Sequence, residues 1–198
     1  AREGGDKGEY SAILYRKSRL DVAKFDTFWL SDTPEKPSST WGNTCIRICT
    51  WARFIDKQSG NNFYFYNTHL DHRSQPSREK SVRLIAQRVS AANIEKLPVV
   101  LTGDFNVGED NPVVQYLTGG CGIDEKTSLK LQDSFRMLYP DEKTVGTFNG
   151  FKGRVDGAKI DYIFVNESVE VLSAAIIRPS TGERCPSDHF PLTARLRF

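Results

Sequence analysis

Apolar and polar residues alternate along much of the chain, and this pattern predicts β-strands. Residues 21–30, 45–55 and 63–70 combine the alternation with β-branched and aromatic side chains. The link at 56–62 closes on Ser-Gly-Asn-Asn, a composition that favours a turn. The stretches on either side of this link are therefore predicted to pair as an antiparallel hairpin.

The same patterns predict strands in the rest of the chain, at 10–15, 97–102, 160–165, 169–177 and 192–198. The segment 31–43 differs, because it contains two prolines and three serines. These residues interrupt regular backbone hydrogen bonding. We therefore predict a surface loop there.

Helical periodicity is clearest at 77–94, where apolar residues recur at Val82, Ile85, Ala86 and Val89. Pro76 suits the first turn, and either Ser74 or Ser77 suits the N-cap. Further helices are predicted at 111–117, with Asn111 as N-cap before Pro112, and at 131–138. Strands interspersed with helices predict an α+β class, in which helices cover the outer faces of sheets.

Composition bounds the function without naming it. The 198 residues suffice for one single-core domain, and 38% hydrophobic with 26% charged residues is ordinary for a globular protein. Lys and Arg number 27 against 25 Asp and Glu, which leaves a net charge of +2. This balance argues against a protein that binds nucleic acid mainly through charge.

Targeting signals are not evident in the sequence. No run of 18 or more apolar residues is present, so no membrane-spanning helix is predicted. The chain begins at Ala1 with neither an initiator Met nor a signal-peptide core, so we expect a processed or cut N-terminus. Both a secreted and a cytoplasmic location stay open.

The cysteines favour packing roles over a disulfide framework. Cys45 and Cys49 lie four residues apart on a predicted strand, which separates them by about 13 Å. A disulfide needs Cα atoms within about 7 Å, so these two are predicted not to pair with each other. Cys121 and Cys185 lie in loop-like sequence, and their state stays open.

Polar residues cluster where predicted strands end, in the stretches 67–71, 102–106, 147–151, 159–162 and 186–191. Three of them have an ordinary structural explanation: a turn at 102–106, a core histidine at His69 and a charged loop around Asp188. Asp161 is harder to explain this way, because a carboxylate in an apolar strand costs several kcal/mol unless it is paired. A histidine is a suitable partner.

Four of these stretches together resemble a known family. Asn-Thr-His-Leu, Thr-Gly-Asp-Phe-Asn, Ile-Asp-Tyr-Ile and Ser-Asp-His-Phe-Pro, in this order, resemble the endonuclease/exonuclease/phosphatase superfamily with its deoxyribonuclease-like fold. The resemblance covers residues 10–198. The sequences around Phe28, Arg47 and Phe148 are similar to a small microbial-type branch.

The resemblance implies a four-layer α/β/β/α sandwich of two mixed sheets. It also implies that residues 1–198 are the C-terminal two thirds or more of one such domain, since the usual first βα elements, with their Asn and Gln-Glu motifs, are absent. We expect a fragment or a divergent protein. Glu9 does not follow a strand and a Gln, so it is not assigned the metal-binding role of the missing Glu.

The resemblance further implies Mg²⁺- or Mn²⁺-dependent hydrolysis of a phosphate ester by in-line attack of water. Asp104 is expected to help hold the metal and to orient or deprotonate the water. His189 is expected to act as base or charge stabiliser, with Asp161 fixing its tautomer. Asn106 is expected to hold a phosphate oxygen or the metal. Asp188 is expected to help hold the metal through oxygen ligation.

Substrate contacts are expected at His69, Asn106, Arg47, Phe148 and Asn149. The substrate itself stays open between nucleic acid, nucleotide, inositol phosphate and phospholipid headgroup, as does the choice between diester and monoester. Two further groups are ambiguous: Trp29, Trp41, Phe148 and Phe151 either stack on a substrate or pack, and Lys152, Arg154 and Lys159 either touch phosphates or form a solvated turn.

A second hypothesis is a truncated, inactive or interaction domain that keeps a remnant phosphoesterase site. The retention of so many chemically matched polar residues favours the enzyme. The oligomeric state is not predicted by the sequence.

Overall fold

The computed structural model describes residues 1–120, 122–123, 127, 129–178 and 185–198. Its elements follow one another in this order: β1 (Leu20–Trp29), β2 (Ile48–Asp56), β3 (Asn62–His69), α1 (Gln75–Ala92), β4 (Val99–Asp104), α2 (Pro112–Leu117), β5 (Gln132–Asp133), α3 (Ser134–Leu138), β6 (Asp161–Val165), β7 (Glu170–Ile176) and β8 (Leu192–Arg197).

The large sheet is six-stranded and mixed, with the order β1-β2-β3-β4-β6-β5. Strands β1, β2 and β3 form an antiparallel meander, which confirms the predicted hairpin. Strand β4 then lies parallel to β3 and antiparallel to β6. The parallel pair requires a crossover, and α1 supplies it.

Helix α1 covers one face of this sheet. Its apolar stripe, the residues predicted from helical spacing, is fully buried in the main core together with Tyr66 and Leu101 of the sheet. Ser74 is the N-cap, since its side chain accepts a hydrogen bond from the Ser77 amide at 3.2 Å. Asn111 caps α2 in the same way, as predicted.

The opposite face of the large sheet packs against a second, two-stranded sheet of β7 and β8. Val100 and Val165 from the large sheet meet Val171 and Ala174 of β7 in this second core. The predicted sandwich of sheets with flanking helices is thus confirmed. The small sheet is antiparallel, however, so within the described residues only the large sheet is mixed.

Two element predictions are wrong. Residues 10–15 form no strand; Leu14 is exposed, and the segment is tied to the sheet by side-chain bonds such as Asn67 Nδ2 to the Ala12 carbonyl. The predicted helix at 131–138 begins only at Ser134, because Gln132–Asp133 pair with β6 and Asp133 then caps the helix. A local pattern forms a strand only where a partner strand is available, which residues 10–15 lack and Gln132–Asp133 have.

The cysteine and membrane predictions have clear outcomes where the chain is described. Cys45, Cys49 and Cys185 are free, and Cys49 is fully buried, which confirms that Cys45 and Cys49 do not pair. Cys121 lies outside the described residues. Among the helices that the structure describes, none is long and apolar enough to cross a membrane.

Gly103 lies where β4 passes close to β3. Its φ is +151°, and a Cβ placed there would lie 2.0 Å from the Thr68 carbonyl oxygen. Gly103→Ala is therefore expected to lower the free energy of unfolding by about 2–3 kcal/mol, because the clash is with backbone and the φ is unfavourable for other residues. Urea denaturation measures this loss.

Gly60 provides the matched control for Gly103. Its φ is +74°, but a Cβ there meets nothing within 4 Å. Gly60→Ala is expected to cost about 1 kcal/mol from backbone strain alone. Equal losses for the two variants would contradict the close-approach explanation.

Candidate active site

The register of the large sheet sets three candidate side chains side by side. His69 at the end of β3 pairs with Asp104 at the end of β4, and Asp104 pairs with Asp161 at the start of β6. Directly paired residues on neighbouring strands project from the same face of a sheet. The three side chains therefore form one row across the ends of three neighbouring strands.

His189 completes this row from a loop. Its backbone forms an isolated antiparallel bridge with Phe148, and its Nδ1 lies 2.8 Å from Asp161 Oδ2. The other ring nitrogen, Nε2, lies 3.9 Å from Asp104 Oδ2. The hydrogen bond with Asp161, aided by the negative charges of Asp161 and Asp104, raises the pKa of His189 above its ordinary value.

The pKa of Asp104 is raised as well, and for a carboxylate this means that the charged form is disfavoured. Burial and the nearby negative charge of Asp161 raise its pKa, although His69, His189 and the Asn106 amide act in the other direction. Two carboxylates on adjacent strands thus repel each other in a partly buried place. Such a pair gains stability from a cation between them.

The turn after β4 serves the site directly. Asn106 adopts a left-handed φ of 53°, and its backbone amide donates to Asp104 Oδ1 at 2.8 Å. Its side-chain Nδ2 donates to the Leu70 carbonyl at 3.1 Å and lies 3.3 Å from Asp104 Oδ2. Residues 102–106 can therefore form a turn and also be part of the candidate site.

Glu9 joins the site although sequence reasoning gave it no role. His69 lies between two carboxylates, with Nδ1 3.0 Å from Glu9 Oε1 and Nε2 3.3 Å from Asp104 Oδ2. Burial by itself raises the pKa of Glu9, but His69, Arg2 and Arg47 outweigh it and hold that pKa below its usual value. Sixty residues separate Glu9 from His69, so no local pattern signals the contact.

Arg47 is buried near this group. Its Nη2 lies 3.3 Å from His72 Nδ1, and its Nε, 4.0 Å from Asp71 Oδ2, has no hydrogen-bond partner within the described part of the chain. Burial lowers the pKa of Arg47, and its neighbours Cys45, Asp71 and Glu9 counteract this. The guanidinium therefore has spare donor capacity, and its charge helps to lower the pKa of Glu9.

The remaining predicted residues divide between site and scaffold. Phe148 packs edge-on against His189 with ring centroids 5.2 Å apart, and Asn149 follows it in the same loop. Both predictions for Lys159, a phosphate contact or a solvated turn, are wrong. The side chain is fully buried, with Nζ 2.5 Å from Asp133 Oδ2. Its apolar neighbours in sequence gave no sign of this partner.

A divalent cation fits one part of the site. Ligand atoms of Asp104, Asp161 and His189 all lie within 4.8 Å of one another, the group of this kind found among the described residues. Carboxylate oxygens are the donors that both Mg²⁺ and Mn²⁺ prefer. Asp188 lies outside this group, with its Oδ1 3.5 Å from Ser187 Oγ, so its metal role stays a prediction.

Comparison with known proteins finds relatives of this chain. The structure is similar to that of a mannosyl-6-phosphatase from Bacteroides thetaiotaomicron, with a TM-score of 0.84 and 34% identity over 100% of this chain and 74% of that one. The sequence is 33% identical over 100 residues to an uncharacterized protein of Acanthamoeba polyphaga mimivirus, covering 49% of this chain and 37% of the viral protein.

A third relative is the recombination repair protein 1 of Drosophila melanogaster, which is 27% identical over 151 residues. That match covers 66% of this chain and 22% of the fly protein, so the chain spans well under half of either curated relative. Residues 2–189 match the sequence model of the Endonuclease/Exonuclease/phosphatase family. The chain therefore belongs to the endonuclease/exonuclease/phosphatase family.

Proposed function

We propose that the chain hydrolyses phosphate esters at the cluster of Asp104, Asp161 and His189, with Mg²⁺ or Mn²⁺ as cofactor. One observation carries the proposal: the 2.8 Å contact of His189 Nδ1 with Asp161 leaves Nε2 facing Asp104 at 3.9 Å. A single water oxygen can form hydrogen bonds to both groups across such a gap. Membership of the family supports the same chemistry.

The cation would be held mainly by the carboxylates of Asp104 and Asp161, with Asn106 beside them. Burial, and then the negative charge of Asp161, raises the pKa of Asp104, and a bound cation would relieve the repulsion between the two carboxylates. When bound, the metal ion neutralises charge on the phosphoryl oxygens and lowers the pKa of a coordinated water.

The chain's own residues then handle the proton and the phosphate. The His189 ring donates from Nδ1 to Asp161, so Nε2 is free to accept the proton of the attacking water. The water oxygen bonds to phosphorus as the ester P–O bond breaks, and the alcohol departs with a solvent proton. His69 and Arg47 donate to the non-bridging oxygens, with Glu9 holding the His69 ring in place.

The substrate class that we favour is the phosphate monoester of a small alcohol. The similarity to a mannosyl-6-phosphatase supports it, and the net charge of +2 agrees with a compact substrate better than with a long polyanion. Nucleotides, inositol phosphates, phospholipid headgroups and nucleic acid are the competing substrates.

A metal-dependence assay tests the proposal. The chain is expected to hydrolyse p-nitrophenyl phosphate, and bis-p-nitrophenyl phosphate more slowly, with Mg²⁺ or Mn²⁺ present. Excess EDTA is expected to abolish the activity, and restoring the metal ion to recover it. Release of p-nitrophenolate gives the rates.

Asp104→Asn separates the enzyme from a contaminating phosphatase. Loss of this carboxylate is expected to lower kcat at least about 100-fold, a typical effect of removing a group that acts on the reacting water. Asp141→Asn, at an exposed position, is the control and is expected to keep full activity. Absence of hydrolysis with either substrate and either metal would instead support the inactive-domain hypothesis.

A further inference from the structure

A small depression lies at the loop that carries Phe148. It has a volume of about 350 Å³ and is lined by Phe148, Asn149, Gly150, Lys152, Arg154, Asp156 and Gly157. We call this set the Phe148 cradle. Its Phe148 ring contacts His189, a member of the row of His69, Asp104, Asp161 and His189 that we call the catalytic row. A group bound in the cradle therefore lies beside the proposed site of hydrolysis.

Asn149 gives the cradle an unused hydrogen-bond acceptor. The residue is only 2% exposed, and its position is fixed because its amide donates to the Asp188 carbonyl at 2.7 Å and its Nδ2 to the Ser187 carbonyl at 3.1 Å. Its Oδ1 is buried and has no partner among the residues that the structure describes. A buried carbonyl oxygen without a donor is costly, so a ligand hydroxyl there would be bound favourably.

Phe148 adds a flat apolar surface. Its side chain is 48% exposed although its edge packs against His189. An exposed aromatic face beside a reacting centre suits the C–H face of a sugar ring or a polyol chain. Phe151, the next aromatic residue, does not line the cradle, so a ligand would stack on one side only.

The charges of the cradle set its electrostatic preference. Lys152 is exposed and has no ion-pair partner in the described part of the chain, whereas Arg154 pairs with Asp156 at 3.1 Å. One unpaired cation is enough for a polar or singly charged group, but it is not the basic track that follows a nucleic-acid backbone. The lining therefore favours hydroxyl groups over a stacked base and its phosphates.

We infer that the Phe148 cradle is the leaving-group subsite and that it selects phosphate monoesters of polyhydroxylated alcohols, that is, of sugars or polyols. This inference rests on the proposed hydrolysis of phosphate esters. Asn149 Oδ1 accepts a hydrogen bond from a ligand hydroxyl, Lys152 donates to another, and Phe148 packs on the ring. Asn149 and Lys152 then determine specificity for the alcohol, whereas the catalytic row acts on the phosphate.

The test compares glucose 6-phosphate with p-nitrophenyl phosphate, whose alcohol has no hydroxyl groups. The quantity measured is the ratio of kcat/KM for the two substrates. Asn149→Leu removes the acceptor at similar size and is expected to lower the ratio at least about fivefold, the effect of one lost hydrogen bond. Lys152→Gln, at an exposed position where folding is not at risk, is expected to lower it about threefold.

Two controls separate recognition from general damage. Phe151→Leu replaces a 60% exposed aromatic residue of the same loop that lies outside the cradle, and the ratio is expected to stay unchanged. A panel of monodeoxy glucose 6-phosphates provides a double-mutant cycle between the protein and the substrate. The wild type is expected to have a lower kcat/KM for one of them than for glucose 6-phosphate. Asn149→Leu is expected to have the same kcat/KM for both.

The outcomes distinguish this inference from the proposed function. If p-nitrophenyl phosphate is hydrolysed and the cradle variants leave the ratio unchanged, the cradle inference is wrong and the proposed function stands. If neither substrate is hydrolysed, the proposed function fails, and the leaving-group role of the cradle, which rests on it, fails as well.

Discussion

Replacement of His189 by alanine is expected to lower kcat for p-nitrophenyl phosphate by about 100- to 10,000-fold, the range found when a catalytic acid or base is removed. The reason is the position of the ring, with Nδ1 2.8 Å from Asp161 and Nε2 facing Asp104. Without the imidazole, the attacking water loses its proton acceptor. Initial rates at saturating metal ion measure the loss, and thermal unfolding confirms that the variant is folded.

Asp161→Asn tests whether the two residues act as one unit. An amide still occupies the space but no longer stabilises the positively charged imidazole, so we expect a loss of at least about tenfold. The double variant His189→Ala with Asp161→Asn is expected to be little worse than His189→Ala alone, because coupled groups are not additive. Independent, multiplying losses, or a His189→Ala variant with normal kcat, would exclude the pair from the mechanism.

Replacement of Lys159 by methionine is expected to lower the free energy of unfolding by about 3–5 kcal/mol, the cost of leaving a buried charge without its partner. Lys159 Nζ contacts Asp133 Oδ2 at 2.5 Å and lies 3.6 Å from the Tyr162 ring centroid. Burial lowers the pKa of Lys159, while Asp133 and Glu109 favour its charged form. Urea denaturation gives the stability change.

A second replacement separates charge from shape. Lys159→Met combined with Asp133→Asn removes both charges, and an Asn still caps α3 in place of the Asp133 carboxylate that accepts from the Phe135 amide. This double variant is expected to recover most of the lost stability. Arg154→Met, which breaks an exposed pair with Asp156, is the control and is expected to leave the urea midpoint unchanged. No recovery in the double variant would mean that Lys159 stabilises by packing.

Local sequence was sufficient for much of the scaffold. Helix α1 is the clearest example, since the stripe predicted from its spacing is the face that packs on the sheet, and Ser74 caps it. These features depend on contacts within a few residues, which the sequence displays directly. The order of the four motifs in turn identified the family, because they occur together in one sequence.

Local sequence failed where distant partners decide the structure. Residues 10–15 were predicted to form a strand, but they pair with none of the described strands. Gln132–Asp133 were predicted to be helical, but they pair with β6. Lys159 was predicted to lie in a charged loop, but it is buried in the core, where it is paired with Asp133, 26 residues earlier in the chain. Each outcome depends on an interaction whose partner is far away in sequence, which no local pattern can encode.

The sequence by itself determined which polar residues end the strands and the turn that presents Asp104 and Asn106. Only the tertiary structure decided that they lie together, because sheet register aligns His69, Asp104 and Asp161 in one row and a bridge to Phe148 brings His189 against it. It also added Glu9 beside His69. The physical reason is that register and loop placement are set by the packing of the whole sheet, whereas turns and caps are set by neighbouring residues.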